Sequence, residues 1–294
     1  GDFVFDANQW QGGIAERTMN KCLTFVLGGG GARGALQLGA VRALFEAGIQ
    51  PDMLVGTSIG AANATGLALW GVNQTGIEAL ERAYQKMAAS NLMNPRLAQL
   101  TRRILSGHPR HYGSRRVAEF FSAEGITPDL RFGHVANVRL GLVAADLVSG
   151  QPIIYGQDPG QSILEGLLAS VALPPWFAPV EHDGHFIVDG GAVSNLPIEP
   201  ALRMGATEII ALDVDDPGTS AEHPQGLNQL VAKLIFTVSQ RYIQLETALA
   251  EARGVPVHRI ELRSPETTQL WDFQNYQQLI EIGYKTTVCS VCGE

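Results

Sequence analysis

The chain has 294 residues, of which 45% are hydrophobic and 17% charged, and its formal net charge is -8. That size and apolar content support a large buried core, and the acidic balance argues against nucleic acid as the main partner. No apolar run reaches the ~18 residues a membrane-spanning helix needs, and no secretory pattern opens the sequence. A cytoplasmic protein is expected, with at most peripheral contact with a membrane.

Residues 1–18 are polar and Gly-rich and precede Met19. They are set aside as an N-terminal extension or an expression remnant, and 19–294 are read as one α/β domain. Residues 23–27 (LTFVL) form a short apolar run, read as a buried strand. A glycine loop follows, then a helix over 35–46 that stops at Gly48. Residues 53–56 are a second strand, and AANATGLALWG after Ser58 is a helix buried on most sides. Strand, loop, helix, strand, sharp turn and helix in that order imply a mostly parallel sheet covered by helices.

A helical insertion is expected around 75–125, with helices over 78–89 and 96–105 broken at Asn94-Pro95, and Ser114 capping a third over 115–121. Strands follow at 138–144 and 152–155, and a helix at 163–171. Asp183-Gly184 marks a hairpin between 178–181 and 185–188. A strand at 208–214, a long helix at 227–253, a strand at 257–262 and a closing helix from about 276 complete the chain. The fold class is therefore a three-layer α/β/α arrangement with a nucleophile turn after an early strand.

The loop at 28–34, GGGGARG, asks what approaches its backbone so closely. Gly29, Gly31 and Gly34 match the dinucleotide fingerprint G-x-G-x-x-G between a strand and a helix. That fingerprint wants an acid at the far end of the second strand, whereas Asp52 precedes that strand. A triphosphate loop needs Gly-Lys-Ser/Thr, and Arg33-Gly34-Ala35 stands there instead. The second strand runs into Gly56-Thr57-Ser58-Ile59-Gly60, a G-x-S-x-G at a strand-to-helix turn. Neighbouring parallel strands end on one edge, so the glycine loop and the serine turn lie side by side. Consecutive glycines can then aim N–H groups at the oxyanion of an acyl-transfer intermediate.

A serine nucleophile needs a base. Of seven histidines, His223 and His258 fit the chain order Ser…Asp…His, but neither stands in a catalytic setting, nor do His108, His111, His134, His182 and His185. Asp189, in FIVDGG at a strand end, is the stronger candidate. Cys22, Cys289 and Cys292 make no disulfide framework, and the single C-x-x-C supplies half of a usual zinc site. It is read as two thiols on a tail in a reducing compartment. Neither a metal nor a cofactor is expected.

Four blocks, GGGGARG at 28–34, GTSIG at 56–60, ASVALP at 169–174 and DGG at 189–191, together resemble the patatin-like lipid acyl hydrolases of bacteria. The resemblance covers about residues 23–214. It implies a Ser58–Asp189 dyad without histidine and an oxyanion hole from the amides of Gly29, Gly30 and Gly31. Arg33 is implied to shape the loop, and Ile59, Ser170, Pro174 and Gly190 to shape the site or touch substrate. The implied activity is hydrolysis of phospholipid or lysophospholipid esters through an acyl-enzyme. A nucleotide-binding oxidoreductase and a lipid-binding protein without turnover are the competing readings.

Two features bear on a lipid interface. Arg96, Arg102, Arg103, Arg110, Arg115 and Arg116 lie between residues 83 and 118, where no Asp or Glu occurs. Such a patch can meet anionic head groups, or be an ordinary solvated helix face. Pro174-Pro175-Trp176-Phe177 can line an acyl pocket or pack in the core. The long helix at 227–253 is read as core or oligomer contact rather than as a membrane anchor.

Overall fold

A computed structural model describes residues 21–90, 114–174, 176–182, 184–215, 226–264 and 268–292. Strands β1 (Leu23–Leu27) and β2 (Met53–Thr57) are buried at every residue, as expected of central parallel strands covered on both faces. The described strands form an eight-stranded sheet in the order β5-β6-β3-β2-β1-β7-β8, with β4 paired to β3. Here β3 is Arg139–Asp146, β4 Gln151–Tyr155, β5 Val180–His182, β6 His185–Asp189, β7 Glu208–Asp215 and β8 Val257–Arg263. β1, β2, β3, β7 and β8 run parallel, whereas β4 and β6 are antiparallel to β3.

β3 carries the arrangement that matters most for the site. Leu142 and Val143 pair with both β2 and β4, so those two strands flank opposite edges of β3. Ala144, Ala145 and Asp146 pair with both β4 and β6. β2 and β6 therefore meet end to end along one edge: Thr57 lies opposite Val143, and Asp189 opposite Ala144.

Helices cover both faces. Helices α1 (Ala35–Glu46), α2 (Ile59–Trp70), α3 (Gln74–Ser90), α4 (Ser114–Ala123), α5 (Ile163–Ser170) and α8 (Tyr276–Cys292) line one side. Phe25, Leu27 and Leu54 face them, while Val26, Met53 and Val55 turn to the other side, the two-residue alternation of a strand. That second side is covered by α6 (Ile198–Arg203) and α7 (Leu227–Ala252). α1 and α8 touch backbone to backbone. A Cβ on Gly39 would collide with the Ile280 carbonyl, and one on Gly283 with that of Leu36.

Most expected elements appear within a residue or two. Ser114 is the first helical residue rather than a cap, and the hairpin strands pair Val180 with Ile187 through His182 with His185. α6 was not expected, because Pro197 and Pro200 make its sequence read as loop. Cys289 lies inside α8 and is exposed, so the C-x-x-C belongs to a helix, not a tail. The helix expected over 96–105 lies outside the described residues. Among those residues, no helix is long and apolar enough to cross a membrane, and no group of three metal-ligating side chains occurs.

Candidate active site

Ser58 sits between β2 and α2 with φ 57 and ψ -125, the described non-glycine residue with positive φ. Such a conformation costs of order 1–3 kcal/mol and persists only where the surroundings enforce it. The flanking glycines show how. A Cβ on Gly56 would strike the Gly60 carbonyl, and one on Gly60 would strike that of Leu27. The turn is also clamped by side chains. The Ser58 N–H donates to Ser170 Oγ at 2.9 Å, and that hydroxyl donates to the Val143 carbonyl at 2.6 Å. Thr57 Oγ1 donates to the Ser194 carbonyl at 2.9 Å. Ser170 is fully buried at the end of α5, so the third sequence block is the strut beneath the serine turn.

The glycine loop is fastened at several points. The Gly28 N–H donates to the Leu212 carbonyl, the Gly29 N–H to the Asn195 carbonyl at 3.0 Å and the Ala32 N–H to that of Leu270 at 2.8 Å. Arg33 Nε donates to the Gly30 carbonyl at 3.2 Å, so this buried guanidinium braces the loop from within. The three glycines expected to act as one group therefore differ. Gly29 has its amide engaged by Asn195, while no hydrogen bond is seen from the Gly30 and Gly31 amides among the described residues. Gly29 serves close approach instead: a Cβ there would stand 3.2 Å from that of Ser58 and 2.6 Å from Asn195 Oδ1.

Asp189 ends β6 and is buried. Its Oδ1 accepts from the Gly191 N–H at 2.8 Å, and the neighbouring Ser58 side chain favours its charged form. Burial dominates its titration. Desolvation pushes the carboxyl up to about 6, against the lowering pull of the Ser58 side chain and the Gly191 hydrogen bond. The Asp189 N–H donates to the Ala172 carbonyl, which joins the third block to the fourth. A Cβ on Gly190 would strike the Val143 carbonyl, so the chain passes tight against β3 just after the aspartate.

The other candidates fall away from this centre. His185 pairs with Asp146 at 2.8 Å and His258 with Glu208 at 3.2 Å. His134 accepts from the Arg131 N–H. His108, His111, His223 and the His182 side chain lie outside the described residues. Asp52 accepts from the Leu23 N–H at the amino end of β1, the edge opposite the loop. Pro174 is exposed. The aromatics after it pack inward, with Trp176 and Phe177 5.7 and 5.6 Å from the Trp271 ring. Asn195 was missed in the sequence because an asparagine between a strand and a helix reads as a turn former. It links both loops: its carbonyl holds Gly29, and its Oδ1 lies where a Cβ on Gly29 or Gly191 would need to be.

Ser58 and Ile59 open onto an apolar cleft with about 670 Å³ of empty space, part of it open to solvent. Trp70, Tyr84, Phe120, Phe121, Phe177 and Trp271 contribute to its walls. A concave, mostly aromatic lining with few polar atoms suits an extended apolar ligand. Buried Tyr84 donates to Asn63 Oδ1 at 3.1 Å, which satisfies its hydroxyl.

A parallel-centred three-layer sheet with a serine turn beside a glycine loop defines the patatin-like class of α/β folds. The chain belongs to the patatin-like phospholipase family, whose model matches residues 25–202. Patatin-like phospholipase domain-containing protein 7 of Mus musculus is 30% identical over 203 residues, 68% of this chain and 14% of that protein. Lysophospholipase nte1 of Aspergillus terreus is 26% identical over 297 residues, 92% of this chain and 18% of that protein. The chain thus spans less than a quarter of the length of these curated relatives. Among solved structures, human GIVD cytosolic phospholipase A2 superposes with a TM-score of 0.54 at 12% identity, covering 98% of this chain and 64% of that one. VipD from Legionella pneumophila gives 0.52 at 14% identity, covering 97% and 73%. At such identities these two likenesses concern the fold.

Proposed function

We propose that the chain is a serine lipid acyl hydrolase that cleaves carboxylic esters of phospholipids or lysophospholipids and releases free fatty acid. The observation that carries this reading is the strained Ser58 turn opening onto an apolar cleft, with the buried Asp189 carboxylate beside it and its charged form favoured by the Ser58 side chain. Ser58 Oγ attacks the ester carbonyl while Asp189 takes its proton. The carbonyl oxygen becomes an oxyanion, which this reading assigns to the amides of Gly30 and Gly31, from which no hydrogen bond is seen among the described residues, while Gly29 supplies room beside Ser58. Collapse expels the alcohol, which takes the proton back from Asp189. Water, deprotonated by Asp189, then attacks the acyl-Ser58 ester, and the fatty acid leaves as Ser58 regains its proton. A base raised to about 6 suits this work better than one at the usual carboxylate value. The cleft is apolar enough to hold the acyl chain, and the relative named lysophospholipase makes a lysophospholipid a natural first substrate.

An anionic membrane contact at the arginine-rich stretch belongs to the same proposal. Arg115 and Arg116 are exposed on α4, and Arg115 pairs with Glu119. Arg96, Arg102, Arg103 and Arg110 lie outside the described residues.

The direct test is intact mass after treatment with a fluorophosphonate. Wild type is expected to gain one adduct and Ser58→Ala none. An adduct retained by Ser58→Ala, or none on folded wild type with and without lipid vesicles, overturns the reading.

A further inference from the structure

The two halves of α7 differ. In its C-terminal half Ile243, Glu246 and Ala250 are buried against the sheet. That half leads through residues 253–256 into β8, where Val257 pairs with Ile209 near the amino end of β7. Further back, Gln240 Oε1 accepts from Arg259 Nη2 at 3.4 Å, and Arg259 Nε donates to Asp213 at 2.9 Å. Asp213 is near the carboxyl end of β7, so Gln240 is level with that part of the sheet. From Gln240 back to Leu227 the helix rises ~20 Å. From Asp213 to its end at Asp215, β7 advances only ~7 Å. The first turns of α7 therefore overhang the carboxyl edge of the sheet, the edge that carries Ser58.

This overhang is greasy on its outer side. Leu230, Val231, Leu234, Ile235 and Val238 are 54, 46, 62, 63 and 44% exposed. Their spacing follows one helix face. Single exposed apolar residues are ordinary, whereas a contiguous stripe marks an interaction surface. Its charge is one-signed. Between residues 227 and 245 there is no Asp or Glu, and the charged residues are Lys233 and Arg241, in a chain of net charge -8.

We propose that the N-terminal half of α7 docks the protein on a phospholipid bilayer that contains anionic lipid, resting on the lipid hydrolase reading above. The apolar stripe enters the boundary between head groups and acyl chains, and Lys233 and Arg241 meet lipid phosphates. The Ser58 edge of the sheet then faces the membrane. A second copy of the chain is a poorer occupant, since a two-fold pairing of this face sets like charges together without an acid to offset them.

The test is co-sedimentation with phosphatidylcholine vesicles, with and without phosphatidylglycerol, alongside release of fatty acid from the vesicles and turnover of a soluble short-chain ester. Leu234→Glu combined with Ile235→Glu is expected to lower vesicle partitioning about tenfold or more. Fatty acid release from vesicles falls with it, and soluble ester turnover is unchanged. If the Glu pair loses soluble turnover through misfolding, Leu234→Ser with Ile235→Ser gives the same comparison. Ser58→Ala is expected to bind vesicles as wild type does. Unchanged partitioning in the folded double variant overturns the docking. So does a wild-type dimer that the substitutions dissociate while vesicle binding stays intact. Wild type that binds vesicles through these residues yet releases no fatty acid supports the docking and overturns the hydrolase reading instead.

Discussion

Asp189 serves two opposed ends. As the base of the proposed dyad it must be ionised, yet its burial penalises the charge and raises its pKa to about 6. A carboxyl raised in the folded state binds its proton more tightly there than in the unfolded chain. Its contribution to stability is therefore fully present below about pH 4 and lost as pH rises through about 6. From that shift the cost at neutral pH is about 3 kcal/mol. Asp189→Asn is expected to abolish ester turnover and to raise the thermal midpoint at pH 8, an increase that disappears near pH 4. Wild-type kcat/KM should climb through about pH 6 as the base ionises. A variant no more stable at pH 8 than wild type would contradict the burial cost. The positions of Ser58 and Asp189 at strand ends were legible in the sequence because glycines stand on both sides of the serine and follow the aspartate, and a glycine required by backbone contact leaves a local pattern. Asn195 was not legible, since its partners Gly29 and Gly191 converge on it only in the folded chain.

The strained serine turn depends on other elements to hold it. Ser170, on α5, accepts from the Ser58 N–H and donates to the Val143 carbonyl on β3, so one hydroxyl joins α5, β3 and the turn. Ser170→Ala removes the acceptor of the partly buried Ser58 N–H and the donor to the Val143 carbonyl, at about 1–3 kcal/mol. It is expected to reduce kcat about tenfold, with KM little changed, because the lost contact sets the geometry of Ser58 rather than binding substrate. Equal falls in kcat and soluble protein yield would point to a merely structural role; urea unfolding and steady-state kinetics on the same preparation separate the two. At this scale the parallel pairing of β1 and β2 was foreseen from two apolar runs, each followed by a glycine turn. The end-to-end meeting of β2 and β6 along β3 was not, because pairings between distant strands leave no local periodicity. α6 escaped notice because Pro197 before it and Pro200 within it hide a helix that its burial against β1 and β2 sustains.

Over the whole molecule, burial raises two further carboxyls, Asp213 on β7 and Glu246 on α7. Glu246 on α7 accepts from the Glu199 N–H at the start of α6, and desolvation pushes it up to about 7. With Asp189, these raised groups contribute stability that is present in mild acid and lost as pH rises through their raised values. Glu208, lowered chiefly by its His258 hydrogen bond, works the other way, but only below the usual glutamate range. Thermal unfolding is therefore expected at a higher midpoint near pH 5.5 than at pH 8, and Glu246→Gln should flatten that slope. An equally steep slope in the variant would remove Glu246 from the account.

The family match ends at residue 202, but the glycine loop is seated on chain that comes much later. The Leu270 carbonyl takes the Ala32 amide, and the reciprocal glycines 39 and 283 let α8 lie flush on the helix that springs from the loop. A graft of the four motif blocks into a foreign scaffold would transfer the reactive groups without their bedplate. What must be inherited together, for this chemistry to survive rearrangement of the gene, includes two glycines that carry no recognisable signature and stand in helices rather than in any catalytic motif.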